Sequence, residues 1–440
     1  MKLKDATFVA PATPYGHSGI AIIRLNGPNA QKIIQSLSKN YKIQNRSPRL
    51  VSLYNLKNTV IDECIVTHYE KPNSYTGDDL IEISCHGNPS IIDALLDSIV
   101  QQGARLAEPG EFTKRAFING KLDLLQAEAV GGLISAQSEV AAKIHQNTLS
   151  GNLSKKINEI SDQLITRLSG IEHAIDISEE ELTSGFFVEN KDALNDLGNK
   201  LDALISTFST GRLINDGIRV VIAGKPNVGK STLLNHLSGY DRAIVSDVPG
   251  TTRDAIETTT IIDGIPIKYI DTAGIHPTKD KIEKIGIQKT NKEIDSADLI
   301  LYINDDPKSN KFPEFNVTTI HVLNKIDLHK KIVKSNSIIH ISAKTGKNVD
   351  ILLKKIKQTM SIEAISTDTP HLTSMRQYTA LKQSSEAIER SLGLMKARSP
   401  NMELVAFELR AALDALDTLM GKTSPDDILN NIFNNLCVGK

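Results

Sequence analysis

A glycine-rich segment carries the clearest chemistry in the sequence. Gly224–Ser231 reads GKPNVGKS, matches G-x-x-x-x-G-K-[ST], and lies between the β-type run RVVIA and the apolar stretch STLLNHLSG. In this setting backbone N–H groups surround phosphate oxygens, Lys230 neutralises the β- and γ-phosphates, and Ser231 offers a hydroxyl to Mg²⁺. We therefore predict a P-loop whose nucleotide contacts are Asn227, Val228, Gly229, Lys230, Ser231 and Thr232.

An acidic motif follows the next β-type run, KYI. This Asp271–Gly274 segment reads DTAG. An aspartate here holds Mg²⁺ through water, and a glycine N–H contacts the γ-phosphate. DTAG is common at strand ends, but its distance from the P-loop favours a nucleotide site. The predicted contacts are Asp271, Thr272, Ala273 and Gly274.

Two later motifs indicate which nucleotide base the site binds. In Asn324-Lys325-Ile326-Asp327, after the run HVL, the Asp327 carboxylate can accept hydrogen bonds from N1–H and the exocyclic amine of guanine. Adenine lacks this donor pair, so an ATPase interpretation conflicts with Asp327. Alone, NKID also fits a solvated turn, and Ser342-Ala343-Lys344 fits an ordinary loop better than a base contact. All four motifs in this order predict GTP.

The usual water-orienting residue is replaced in this chain. Many GTPases have a Gln just after DTAG, whereas here Ile275 cannot form a hydrogen bond. The Asn227 side chain and backbone carbonyls of residues 244–254 could hold a monovalent cation that stabilises transition-state charge. Thr252 is the natural second hydroxyl for Mg²⁺. Arg253 could supply the charge instead, and a solvated surface arginine is an equal alternative.

A carboxylate after the DTAG motif is a candidate to activate water. Glu283 lies in KDKIEKIGIQKT, where it could orient or activate the attacking water. Its sequence context by itself favours an exposed helix glutamate. Glu283 and Lys230 are the two candidate catalytic residues.

The elements that position these motifs form an α/β domain. Residues 218–364 alternate short β-rich runs with polar helical stretches, which predicts a doubly wound sheet. The segment before about Gly120 has strand-like runs at Ile20–Leu25 and Leu80–Ser84 and a helical pattern at Ser90–Gln101, which predicts a compact α+β domain.

Helical patterning surrounds the α/β region. Apolar residues recur at helical spacing from Leu122, through Asp192–Ser209, and again over Ser374–Asn435. The simplest interpretation is a G domain inserted into a discontinuous helical domain. We predict four segments: residues 1–120, an N-terminal α+β domain; 121–214, the first helical part; 215–372, the G domain; and 373–440, the second helical part with its tail.

Composition limits the function classes. Among the 440 residues, 51 Lys and Arg balance 52 Asp and Glu, so a broad electrostatic grip on nucleic acid is not expected. RNA contacts would be local or shared with a partner. Three separated cysteines fit a reducing cytosol, and no signal peptide or membrane span is evident. We therefore expect a cytoplasmic protein with no membrane contact.

The sequence resembles the tRNA modification GTPase family MnmE, also called TrmE, along nearly its whole length. The segments that carry the resemblance are IAIIRLNGP, SYTGDDLIEISCHG, PGEFTKRAFINGKLDLLQAEAV, GKPNVGKSTLLN, IVSDVPGTTRDAIE, DTAGI with IEKIGIQKT, and the terminal CVGK. NGKLDLLQAEAV and the tail are more particular to this family than the G motifs.

The resemblance implies a K⁺-activated GTPase with an N-terminal domain that binds folate and forms a homodimer. It also implies that, with an FAD-dependent MnmG-type (GidA) protein in a heterotetramer, the chain adds an aminomethyl-type (carboxymethylaminomethyl) group at carbon 5 of the wobble uridine of tRNA. The one-carbon donor would be 5-formyl- or 5,10-methylene-tetrahydrofolate. Because no GxGxxG fingerprint is evident, we expect the redox chemistry to lie in the partner.

Residue roles also follow from the resemblance. It assigns the catalytic carboxylate to Glu283. Its metal and folate positions are K⁺ at Asn227, Ser246, Val248 and Thr251; Mg²⁺ at Ser231 and Thr252; and folate at Arg24, Glu82, Lys121 and Lys440. The basic members suit folate carboxylates, and Glu82 suits pterin N–H groups. Alone, each charge would be an ordinary surface residue. Cys437 is either a nucleophile or a small apolar contact.

A second function class shares the G domain. A regulatory GTPase of ribosome assembly would carry the same four motifs. Such a protein would be expected to have a basic RNA-binding appendage, which the flanking segments do not resemble. The flanks therefore favour tRNA modification.

Overall fold

The computed structural model describes residues 6–39, 44–175, 184–239, 257–271, 293–307, 313–329, 338–360, 367–397, 399–423 and 426–440. These residues form two compact units. Unit 1 comprises Met1–Ser135, His145–Ile205 and Met375–Lys440, and unit 2 comprises Ala136–Ile144 and Ser206–Ser374. No helix in the described ranges is long and apolar enough to cross a membrane.

A six-stranded sheet forms the N-terminal part of unit 1. Its strand order is β3-β4-β5-β2-β1-β6, and every pairing is antiparallel except that of β1 with β6. Alternation places one face of each strand in the core, as in β4, where Cys64, Val66 and His68 are buried. The strands are β1 Phe8–Pro11, β2 Ser18–Asn26, β3 Arg49–Tyr54, β4 Val60–Tyr69, β5 Leu80–Gly87 and β6 Arg105–Leu106.

Helices complete unit 1. The predicted helix near residue 90 is α2, which starts where the Asn88 side chain accepts a hydrogen bond from the N–H of Ser90 and Pro89 takes the first position. The helices are α1 Ala30–Ser36, α2 Pro89–Gln101, α3 Glu111–Ile118, α4 Leu124–Ser135, α5 Glu139–Leu149, α6 Asn152–Ile175, α7 Ser184–Ser206, α11 Met375–Leu394, α12 Met402–Met420 and α13 Asp426–Asn434, with α5 divided between the units.

Unit 2 contains the predicted doubly wound sheet. Its order is β12-β11-β10-β7-β9-β8, and only the edge pairing of β8 with β9 is antiparallel. Because parallel strands end at one edge, the loops after β7, β9, β10, β11 and β12 gather there. The elements are α8 Phe208–Asp216, β7 Ile218–Gly224, α9 Lys230–Ser238, β8 Glu257–Ile262, β9 Ile265–Asp271, β10 Leu299–Asn304, β11 Thr319–Leu323, β12 Ile338–His340 and α10 Val349–Thr359.

The core of unit 2 extends beyond the parallel sheet. Ile214 of α8 and both Ala141 and Ile144 of α5 are buried in the same apolar cluster as Val220 and Ile222 of β7. Burying each large aliphatic side chain contributes about 1.5–3 kcal/mol. This packing explains why these short helical pieces cluster with the sheet. The four-segment limits at residues 120, 214 and 372 stay predictions.

Candidate functional site

The loop after β7 depends on a close backbone approach. Gly224 has φ +147°, and a Cβ there would lie 2.2 Å from the carbonyl oxygen of Ile303 on β10. A side chain at this position would therefore collide with the neighbouring strand. The loop ends at Gly229, a left-handed N-cap, and α9 begins at Lys230. The N-terminus of α9 thus opens onto the carboxyl edge of the sheet, as anion binding requires.

Lys230 is held across this loop. Its ammonium donates to the carbonyl oxygens of Gly224 and Lys225, each at 2.9 Å. Burial lowers the pKa of Lys230, while the negative charge of Asp271 acts in the opposite direction. The positive charge therefore lies beside the loop amides where phosphate oxygens would bind.

Ser231 and Asp271 lie together. The Ser231 hydroxyl donates to Asp271 Oδ2 at 2.9 Å, and the aspartate is 1% exposed at the end of β9. A hydroxyl and a carboxylate are hard oxygen donors, and Mg²⁺ prefers such ligands. The two residues therefore fit the predicted Mg²⁺ site, in which Ser231 would be the direct ligand and Asp271 would act through water.

Asn324 joins the phosphate side of the site to the base side. Its amide Nδ2 donates to the carbonyl of Val228 at 2.8 Å, and its Oδ1 accepts from the N–H of Ala343 at 2.8 Å. The side chain is 2% exposed. Asn324 thus satisfies two backbone groups in two different loops, and the energetic cost of losing a buried partner makes that junction rigid.

Lys325 reaches from the base side to the P-loop. It has φ +60°, and its ammonium donates to the carbonyl of Asn227 and to Asp305 Oδ2, each at 2.7 Å. Asp305 follows β10, so it lies at the same sheet edge. This aspartate is not among the residues predicted from the sequence, although its place after the run LILYIN was an available signal.

The predicted guanine-binding carboxylate faces solvent. Asp327 accepts a hydrogen bond from Ser342, which is the first cause of its lowered pKa, with Lys344 and His329 adding smaller effects. Ser342 is fully buried, whereas Asp327 is exposed. The carboxylate is therefore kept anionic and oriented, as two hydrogen bonds to guanine require.

The remaining positions of the nucleotide site divide into two groups. Asn227 and Thr232 are exposed at the P-loop and on α9. Ten predicted or considered residues lie outside the described ranges: Ser246, Val248, Thr251, Thr252, Arg253, Thr272, Ala273, Gly274, Ile275 and Glu283. The K⁺ site and the catalytic glutamate stay predictions.

A second cluster of charges lies in unit 1. Arg24 of β2 and Glu82 of β5 are cross-strand partners. Arg24 Nε and Nη2 both lie 2.9 Å from Glu82 Oε1, and the Tyr69 hydroxyl donates to Glu82 Oε2 at 3.4 Å. Two predicted folate-binding residues thus form one ion pair, and Tyr69 is a contact that sequence analysis missed.

The chain terminus reaches this ion pair. Arg24 Nη1 donates to the carbonyl of Gly439 at 3.2 Å. Gly439 has φ +94°, and a Cβ there would lie 2.2 Å from the carbonyl oxygen of Pro11. The backbone of Cys437 accepts from the N–H groups of Gly110 and Lys440, at 3.3 and 3.2 Å, while the residue itself is exposed. The tail therefore docks through its backbone.

The two predicted folate-binding lysines have different surroundings. Burial, followed by repulsion from Arg24, lowers the pKa of Lys440, while Glu82 and Cys437 raise it. Arg24, Glu82 and Lys440 are therefore brought together. Lys121 is exposed and lies against Gly77, where an added Cβ would be 3.3 Å from Lys121 Cγ.

Two family models together cover nearly all of the chain. The "MnmE helical domain" model matches residues 124–437, and the "GTP-binding protein TrmE N-terminus" model matches residues 7–121. The first match spans the sheet of unit 2, in keeping with a helical domain whose two parts are separated in sequence.

Individual relatives are similar over their full length. The chain is 37% identical over 444 residues to "tRNA modification GTPase MnmE" of Aquifex aeolicus, covering 98% of this chain and 99% of that one. It is 39% identical over 459 residues to the protein of that name from Clostridioides difficile, covering 99% of each. In a crystal structure of an Aquifex aeolicus Era variant bound to GDP·AlF4⁻, the chain is 31% identical to this one over 38% of this chain and 66% of that one, with a TM-score of 0.26.

Removal of the Asn324 amide tests the junction between the two loops. We expect Asn324→Ala to weaken GTP binding about 10- to 100-fold. The Val228 carbonyl and the Ala343 N–H would then have no buried hydrogen-bond partner, and leaving such a group unpaired costs about 1–3 kcal/mol. Titration with a fluorescent GTP analogue measures this. The control is Asn235→Ala on the exposed side of α9. Equal affinity in both variants would remove Asn324 from the site.

A methyl group at Gly439 tests how the tail docks. We expect Gly439→Ala to weaken docking of the tail by about 1–3 kcal/mol, because both the left-handed φ and the nearby Pro11 carbonyl oppose a Cβ at this position. Hydrogen exchange of the last residues should quicken accordingly. Gly120→Ala is the matched control, since Gly120 has φ +67° with open space around it. If the two variants exchange alike, close approach does not hold the tail.

Proposed function

Because the chain belongs to the tRNA modification GTPase family MnmE, we propose that it couples GTP hydrolysis to a folate-dependent modification of the wobble uridine of tRNA. The proposed product carries an aminomethyl-type group, such as carboxymethylaminomethyl, at carbon 5. The observation that carries the proposal is the convergence of Arg24, Glu82 and the C-terminal Gly439 and Lys440 in unit 1.

The nucleotide-binding unit supplies the hydrolase. Lys230 would neutralise the phosphates, and Asp327, oriented by Ser342, would select guanine. Bound Mg²⁺ would supply charge stabilisation at the β- and γ-phosphates, with Ser231 and Asp271 holding it. K⁺ activation remains part of the proposal, with Asn227 as its described residue.

The charge cluster of unit 1 suits a reduced folate. A folate combines carboxylates, which suit Arg24, Lys121 and Lys440, with pterin N–H groups, which suit a carboxylate such as Glu82. Nε and Nη2 of Arg24 are bonded to Glu82. A ligand carboxylate would therefore bind at Nη1, where it would replace the hydrogen bond to the Gly439 carbonyl. Either 5-formyl- or 5,10-methylene-tetrahydrofolate would present these groups.

The proposal includes partners. By family membership the chain would form a homodimer and would work on tRNA with an FAD-dependent MnmG-type protein, in a heterotetramer. The near balance of acidic and basic residues supports a shared RNA surface, because this chain would not attract tRNA strongly by net charge alone.

Nucleoside mass spectrometry tests the function. In tRNA from cells that lack this protein we expect 5-aminomethyl-type wobble uridines to disappear. The intact chain should restore them, and Lys230→Ala should not, because the P-loop loses its phosphate-neutralising charge. If the deletion strain contains these modified uridines at the same level as the wild-type strain, the proposal is refuted. GTP-dependent co-sedimentation with ribosomal subunits would then favour a ribosome-assembly GTPase.

Potassium dependence tests the role of Asn227. We expect Asn227→Ala to lose most of the K⁺ stimulation of GTP hydrolysis, measured against Na⁺, while GTP affinity changes little. Asn227 has φ +62°, so Asn227→Gly serves as the matched variant that removes the side chain without backbone strain. Loss of stimulation in both variants supports a carbonyl ligand. Full stimulation in the glycine variant would exclude the side chain from the ion site.

A further inference from the structure

The Arg24 guanidinium is restrained in three directions. Its Nε and Nη2 edge is fixed by Glu82, at 2.9 Å for each nitrogen. Its Cζ lies over the ring of Tyr75, 5.7 Å from the ring centroid. The third contact, from Nη1 to the Gly439 carbonyl, is longer at 3.2 Å. That third bond is the one that a ligand carboxylate could most readily replace.

Tyr75 is itself well supported. Its hydroxyl is hydrogen-bonded to Thr113 Oγ1 at 2.9 Å, and burial raises the pKa of the phenol, so the ring carries no negative charge near neutral pH. A neutral aromatic face attracts a guanidinium through its quadrupole. The two parts of Tyr75 therefore make separate contacts: the ring contacts Arg24, and the hydroxyl is hydrogen-bonded to Thr113 on α3.

A buried polar network holds the loop that carries Tyr75. Arg115, which is 2% exposed, pairs with Asp78 at 3.1 Å. Asn119 donates to the carbonyl of Thr76 at 2.8 Å and to Asp78 at 3.1 Å, and the Thr76 hydroxyl donates to Asn26 at 2.5 Å. Since the network spans residues 76–78, directly after Tyr75, it fixes the ring relative to the sheet.

The same loop connects Lys121 with Arg24. Gly77 has φ +80° and packs against Asn119 and Lys121, where an added Cβ would approach within 3.0 and 3.3 Å. Lys121 thus lies beside Gly77, and Arg24 lies beside Tyr75 of the same loop, residues 74–78. Two cations that lie against the same loop suit a ligand with separated negative groups.

We propose that Tyr75 is a positioning residue for the folate site, which holds the Arg24 guanidinium in the plane that presents Nη1 to a carboxylate of a reduced folate. This inference rests on the proposed function. Glu82 fixes one edge of the guanidinium and the Tyr75 ring lies against its Cζ, so the ligand meets an oriented donor rather than a freely rotating side chain. Pre-orientation of this kind strengthens binding by reducing the entropy lost on association.

Equilibrium titration with 5-formyltetrahydrofolate tests the proposal. We expect Tyr75→Leu to weaken binding about 3- to 30-fold, the range of a partly buried cation–π contact. Tyr75→Phe should bind within about twofold of the wild-type protein, because it keeps the ring. The matched control is Tyr54→Leu, which removes a similar contact with Lys39, at 4.3 Å, elsewhere on the sheet. Unfolding midpoints check that all variants fold.

A double-mutant cycle separates positioning from general packing. In an Arg24→Gln background, Tyr75→Leu should have almost no further effect, because the oriented group is gone. Ligand-observed NMR at millimolar folate keeps weak complexes measurable. The inference is wrong if the wild-type protein binds folate and the Tyr75→Leu variant binds it equally well. It is also wrong if Tyr75→Leu lowers folate affinity by the same factor in the wild-type and Arg24→Gln backgrounds. If the wild-type protein binds no reduced folate, the proposed function fails instead.

Discussion

Backbone segments approach each other in both units more closely than a side chain would permit. Gly224 brings the P-loop against the carbonyl of Ile303, and Gly439 brings the tail against the carbonyl of Pro11, each with only 2.2 Å for an added Cβ. Hydrogen-bonding groups then converge at both places, with Lys230 in the first and Arg24 in the second. Each site is built on a glycine that contributes space rather than chemistry.

Buried polar side chains give the sites their rigidity. Asn324 ties Val228 to Ala343 in the nucleotide-binding unit, and Arg115 with Asn119 ties the loop of residues 74–78 to α3 and its end in the other unit. These groups bind backbone or partner side chains rather than ligands. Because an unpaired buried group costs more than the bond gains, such residues restrict each site to one arrangement.

Charge is distributed differently in the two sites. In the proposed nucleotide site the cation Lys230 and the carboxylate Asp271 would serve different parts of one ligand, phosphate and Mg²⁺. In the cluster of unit 1, Arg24 and Glu82 neutralise each other directly, and Lys440 adds a further cation in a half-buried setting that lowers its pKa. The first arrangement suits a metal–phosphate ligand, and the second suits a ligand with both acidic groups and N–H donors.

The sequence by itself determined what is local. The P-loop, the strand before it and the helix after it all lie within residues 218–238, so one short stretch of sequence shows both the motif and the elements that hold it. The doubly wound sheet and the helical flanks followed from periodicity. Only the tertiary structure decided which distant residues meet. Arg24 and Gly439 are 415 positions apart, and Tyr75 reaches Arg24 through a loop held by buried partners. Such contacts depend on how strands and tail pack, and no spacing rule along the chain records that packing.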